Sequence, residues 1–162
     1  MINPVHLYSY VIAPVLDALA LPKAKEASQL LLLTAAQESR CGEFLHQIKG
    51  PARGIFQMEP ATHDSLRDNY IAHRPDLSTS LFKLTPIFDA SVLDYNLAYA
   101  TAMARILYRP VKDPLPQFGD IEGMARYWKH HYNTLLGRGT VEEAMQSYKR
   151  LIEPYQAKIW RD

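Results

Sequence analysis

The chain has 162 residues, 48% hydrophobic and 22% charged, with 18 basic and 17 acidic side chains and a net charge of +1. That length suits one domain and a core burying about 70% of the unfolded surface. The balance argues against extended disorder, and the missing basic excess argues against a dedicated nucleic-acid binder. A lone cysteine, Cys41, excludes an internal disulfide and a cysteine-based metal site.

Helical signals succeed one another along the chain. Asn3 before Pro4 is a helix start, and Pro14 should kink or split that first segment. Lys23 to Ser39 is rich in helix formers, and its Leu30–Leu33 run, apolar nearly all round, marks a buried central helix ending near Arg40-Cys41-Gly42. Gly42, Gly50, Pro51, Gly54 and Pro60 make 42–60 a loop with short extended pieces. A helix is expected from Pro60 to about His73, then a loop through Pro75 and Pro86. Leu93, Leu97, Ala100, Ala104 and Leu107 fall at helical spacing, which predicts one amphipathic helix from Asp89 to Tyr108.

Pro110, Pro114 and Pro116 form a stiff connector, and Asp120 caps a helix to about His131. Asn133 to Gly139 is a loop, after which Thr140-Val141-Glu142-Glu143 is a capping box opening the last helix. Val141, Ala144, Met145, Tyr148 and Ile152 form its inner face, and Pro154 should bend it. With no repeat, low-complexity segment or linker, the expectation is a single all-α domain over residues 1–162. Apolar runs such as Leu30–Leu33 fall far short of the ~20 residues that span a bilayer, so no membrane insertion is expected. Met1-Ile2-Asn3-Pro4 has neither the basic start nor the cleavage site of an export signal.

The chemistry concentrates between Thr34 and Pro60. An apolar helix delivers Glu38 to its C-terminal end beside a glycine-rich loop. Burial and the negative helix end both favour the neutral carboxyl, and a glutamic acid kept protonated near neutrality can protonate a glycosidic oxygen. The plainer reading of Glu38 is a solvated helix-end glutamate. In the loop, Phe56 and Met58 offer apolar surface to a sugar ring, or belong to the core, and Gln57 offers an amide.

Glu38-Ser39 followed by Gly54-Ile55-Phe56-Gln57-Met58-Glu59-Pro60 resembles the signature of soluble lytic transglycosylases, relatives of goose-type lysozyme. Ala125-Arg126-Tyr127-Trp128 resembles that family's tyrosine motif, and Asn96-Leu97-Ala98-Tyr99 its asparagine-bearing groove helix. The likeness spans roughly residues 30–135. It implies a lysozyme-like fold with a substrate groove for peptidoglycan glycan strands, and Glu38 as acid/base with Ser39 and Tyr127 orienting it. Gln57 and Met58 would line sugar subsites, and Asn96 would sit on the helix across the groove; by their own chemistry Phe56 and Tyr132 are further candidates for sugar contact. No cofactor and no metal is implied. The loop from Glu38 to Gly54, Cys41 and Glu59 depart from the usual pattern, which leaves fine specificity open.

The segment Trp128 to Thr134 with Gly137-Arg138-Gly139-Thr140 is similar to bacteriophage-borne members. Made in the cytoplasm and acting on the wall, such a protein would need a virion or a holin-type pore as delivery partner. A glycosidase normally uses two carboxylates, and Glu43, Glu59, Asp64 and Asp94 each read better as surface charges. That tilts the expectation toward a transglycosylase forming 1,6-anhydro-muramoyl ends. A hydrolytic lysozyme and a non-catalytic wall-binding or virion module remain as alternatives. Cys41 as a peptidase nucleophile is a minor one, since an inert thiol is the commoner case. Adjacent His130 and His131 point about 100° apart on a helix and make a poor metal pair.

Overall fold

The computed structural model describes residues 1–21, 25–134 and 137–161. It is mainly helical, with no sheet among the described residues. Nine α-helical segments occur there: α1 (Pro4–Leu7), α2 (Ala13–Ala18), α3 (Lys25–Ser39), α4 (Pro60–Asn69), α5 (Pro75–Phe82), α6 (Leu97–Tyr108), α7 (Ile121–Trp128), α8 (Val141–Leu151) and α9 (Gln156–Ile159). None is long and apolar enough to cross a membrane.

Local signals account for most helix ends. Asn3 accepts the Val5 N–H at 2.9 Å and Pro4 opens α1. A π-helical turn, Tyr8–Ile12, separates α1 from α2, and Pro14 sits in the first turn of α2, so the expected split is present. Thr140 and Glu143 close a reciprocal capping box on α8, and Pro154 falls in a 3₁₀ turn, Glu153–Tyr155, between α8 and α9. Of the expected boundaries, Lys23 at the head of α3 and Leu135 and Leu136 in the loop before α8 lie outside the described residues.

α3 packs against α6, α7 and α8 and is buried on nearly every side. Its buried polar groups are paired, as low-dielectric burial demands. Gln29 donates to the Tyr148 hydroxyl at 2.9 Å and accepts the Gly119 N–H at 2.8 Å. Leu30 to Leu33, Trp128, Tyr148 and Ile152 share one apolar cluster with residues of α1, α2 and α6.

Two expectations are corrected. Asp89 to Tyr108 is not one helix: Asp89 caps a short 3₁₀ turn, Ala90–Asp94, and Asn96 starts α6 afresh. The Asn96 side chain takes the Tyr99 N–H at 2.9 Å, satisfying a donor that a continuous helix would have bonded internally. The expected loop through Pro75 holds α5, because Pro75 sits in the first turn, where its missing N–H costs nothing. The extended pieces foreseen in 42–60 are two isolated antiparallel pairings, His46 with Arg53 and Arg53 with Met58.

Candidate active site

Glu38 is the penultimate residue of α3, and the abrupt end of that helix shapes the site. Arg40, Cys41 and Gly42 all have positive φ (51°, 56° and 79°), and the Cys41 N–H closes back on the Ala35 carbonyl at 2.9 Å. Such a termination suits Gly42 and is held by Ser39. The Ser39 hydroxyl accepts the Gly42 N–H at 2.8 Å and donates to the Ile55 carbonyl at 2.6 Å. One buried hydroxyl thus ties the end of the Glu38 helix to the Gly54–Pro60 turn.

That turn is equally constrained. Arg53 and Met58 exchange both backbone hydrogen bonds at 2.9 Å around Gly54 to Gln57. Gly54 has φ +74°, and a Cβ there would lie 2.5 Å from the Leu93 carbonyl oxygen. Gln57 has φ +47°, and its side-chain amide donates to the Gly54 carbonyl at 2.8 Å. Arg53 pairs with Asp94, anchoring the hairpin on the 3₁₀ turn before α6.

Between α3, this hairpin and the segment after α7 lies an open groove of about 630 Å³. Glu38, Gln57, Met58, Trp128 and Tyr132 line it, with Phe44 and Ile48 along one stretch and Asn133, Thr134 and Arg138 along another. Gly139 lies against the Trp128 ring, where a Cβ would come within 2.7 Å of it. Lys129 braces the segment by donating to the Asn133 side chain at 2.7 Å and to the Gly137 carbonyl at 2.8 Å.

Burial pushes the Glu38 carboxyl from 4.5 up to about 7, and one hydrogen bond, from the Trp128 indole N–H at 2.9 Å, pulls it partly back. The neighbouring hydroxyls are spent elsewhere. Thr34, one turn before Glu38, donates to the Leu30 carbonyl at 2.8 Å, so in its 2.9 Å contact with Tyr108 the tyrosine is the donor. Tyr132 donates to the Phe56 carbonyl at 2.8 Å. Burial raises both tyrosines well above their ordinary range, and the nearby Glu38 charge adds to this, so both stay neutral. Glu38 is therefore a carboxyl that carries its proton to neutrality and faces an open groove, which is the condition for a general acid.

The sequence-predicted residues divide. Glu38, Gln57, Met58 and Tyr132 share the groove. Ser39 is fully buried and makes no hydrogen bond to Glu38, so it positions the loop rather than the carboxyl. Phe56 is 1% exposed and belongs to the core, its carbonyl alone reaching Tyr132. Asn96 is a helix cap, donating also to the Leu84 carbonyl at 3.2 Å, and does not line the groove. Tyr127 faces away: its hydroxyl donates to the Asp113 carbonyl at 3.1 Å, and it lines a separate cavity. On α7 the neighbouring position, Trp128, points at Glu38 instead, about 100° round the helix.

Several groove residues escaped the sequence reading, among them Trp128 and Glu59. Trp128 is fully buried, in keeping with the core position that its helical spacing predicts; nothing in the sequence marks its indole N–H as aimed at a carboxylate. Glu59 is exposed, as expected of a surface charge, and also lines the groove. Its place right after Met58, on a turn whose Gln57 and Met58 both face the groove, was the available signal.

Cys41 is buried and its thiol is pushed up to about 12 by that burial, which removes the thiolate a peptidase would need. Among the described residues no cluster of three or more His, Cys, Asp or Glu could hold a metal. The chain matches no known protein family, and no similar curated protein or solved structure was found.

Proposed function

We propose that this protein cleaves peptidoglycan glycan strands with Glu38 as its acid/base. The observation that carries the reading is a carboxyl held protonated to about pH 7 in the wall of a groove large enough for sugar rings. The groove suits a glycan: Phe44 and Ile48 give apolar surface for ring faces, with the largely buried Met58 at its floor, and Gln37, Gln47, Gln57 and Asn133 give amides for hydroxyl and acetamido groups.

In the reaction, Glu38 gives its proton to the bridging oxygen as the anomeric C–O bond breaks, with the acetamido group of the muramoyl sugar stabilising the cationic centre. The resulting Glu38 carboxylate takes the proton of that sugar's C6 hydroxyl, whose oxygen closes onto the anomeric carbon. The products are a 1,6-anhydro end and a new free 4-hydroxyl, with no water consumed. The Trp128 N–H supports the carboxylate stage, because a donor aimed at Oε1 stabilises the charged form.

A second reading, hydrolysis, is favoured by one observation: Glu59 is a second carboxylate lining the same groove. A carboxylate there could activate a water where a transglycosylase uses the sugar's own hydroxyl. Mass spectrometry of fragments released from purified peptidoglycan decides between them, using wild type, Glu38→Gln and Glu59→Gln. Anhydro ends lost in Glu38→Gln and kept in Glu59→Gln are the expected result. Water-added reducing ends lost in both variants establish the hydrolase. Release that does not depend on Glu38 overturns the enzyme assignment.

A further inference from the structure

Arg105 lies on the buried side of α6, 7% exposed, in the wall of a second cavity of about 260 Å³. The cavity, open to solvent on one side, is lined by α6, by residues Arg109 to Leu115 after it, and by Tyr127 of α7. Arginine keeps its positive charge throughout the physiological pH range, and a charge withdrawn from water is ordinarily paired and hydrogen-bonded. Arg105 has no ion pair and no side-chain hydrogen bond among the described residues, and its Nε is fully enclosed without a partner.

The groups facing it make the imbalance worse. Burial, and then the like charge of Arg109, push the Arg105 guanidinium below its ordinary range, and only the phenols Tyr127 and Tyr70 oppose this. Among the described residues Asp113 is the one carboxylate on the cavity wall, and it is engaged elsewhere. Its side chain is 71% exposed and meets the His131 Nε2 at 3.3 Å, while its backbone carbonyl takes the Tyr127 hydroxyl. A guanidinium whose Nε is enclosed without a partner thus lines a cavity whose described carboxylate is engaged elsewhere.

We propose that the Arg105 cavity binds a small oxyanion, a phosphate or carboxylate group, with Arg105 as buried anchor and the exposed Arg109 at its edge. A guanidinium presents parallel N–H donors at the spacing of two oxyanion oxygens, and burial strengthens that contact relative to water. The site is separate from the groove and does not depend on what the groove does. Tyr108 is common to both surroundings, lining the cavity while its hydroxyl donates to Thr34 near Glu38.

The test titrates inorganic phosphate, and separately acetate, into the whole protein at fixed ionic strength, with chloride as control. The readouts are the Arg105 Nε–H resonance, identified by its loss in Arg105→Met, and the melting midpoint. The expected result is a saturable shift of that resonance and a midpoint rise of roughly 5–10 °C at a hundredfold excess over Kd. Arg109→Gln should weaken binding about tenfold. Arg105→Met should melt no lower than wild type in chloride and lose the anion response. A response to phosphate alone assigns a phosphate group, and a response to both anions assigns the shared oxyanion charge. If Arg105→Met does not fold, Arg109→Gln carries the test. No saturable shift with either anion, or the same shift in Arg109→Gln as in wild type, overturns the proposal.

Discussion

Glu38→Gln should make the protein more stable, and increasingly so as the pH rises. In the unfolded chain the Glu38 carboxyl titrates near 4.5; in the folded protein burial holds it at about 7. Between those values the folded state binds a proton that the unfolded state has released, so wild-type stability falls as pH rises through this window and levels off above it. The gap, at about 1.36 kcal/mol per pH unit, corresponds to roughly 3 kcal/mol. Glutamine keeps an oxygen for the Trp128 N–H and carries no charge, so it escapes the penalty. The difference between variant and wild type should be near zero at pH 4 and approach about 3 kcal/mol by pH 8, or roughly 6–12 °C in melting midpoint for a chain of this size. Every other ionisable group is common to both proteins and cancels in the difference. Parallel melting curves from pH 4 to 8 measure it. A difference that stays flat with pH would mean that Glu38 ionises like a solvated glutamate, and the argument for a general acid would fall with it.

Trp128→Phe removes the one hydrogen bond made to the Glu38 carboxylate among the described residues, a charge-assisted bond worth about 1.5–3 kcal/mol. The alkaline limb of the glycan-release profile should move up by about one pH unit, and an unmoved limb would remove Trp128 from the site. Tyr127→Phe should leave glycan release within about twofold of wild type and lower stability by about 1 kcal/mol, because its hydroxyl serves the Asp113 carbonyl. A tenfold loss of release would restore Tyr127 to the role that its motif suggests. Gly54→Ala should destabilise by about 2–4 kcal/mol in urea unfolding, since it combines φ +74° with a Cβ 2.5 Å from a backbone oxygen. A change below about 0.5 kcal/mol would show that the hairpin can shift.

Helix caps were the most legible part of the fold because their physics is local. Asn3-Pro4 and Thr140 to Glu143 each satisfy orphan N–H groups within four residues, and the structure keeps both. The burial of α3 was legible for a related reason: four consecutive leucines cannot face one side of a helix. The break at Asn96 was not, because hydrophobic spacing continues across it from Leu93 to Leu107. Apolar periodicity reports which face is buried and is silent about a side chain that captures a backbone N–H. The α5 helix was missed by the opposite error, a proline read as a breaker where it opens a helix.

The groove residues show the same division between local and non-local information. Gln57 and Met58 were recoverable because a glycine-bounded turn next to Glu38 can put its side chains near that carboxyl. Ser39 and Tyr127 were assigned by neighbourhood in sequence, and each is drawn off by a backbone partner: Gly42 and Ile55 for Ser39, Asp113 for Tyr127. A hydroxyl next to a carboxylate in sequence is no better placed to bond it than any other, because successive residues on a helix diverge by about 100°. Trp128 reaches Glu38 from 90 residues away, and what makes the contact feasible is Gly139, where any Cβ would press on the indole ring. The protonation of Glu38 thus rests on pieces distant in sequence: the α3 core that desolvates it, the α7 indole that tempers the effect, and a glycine that leaves room for the indole.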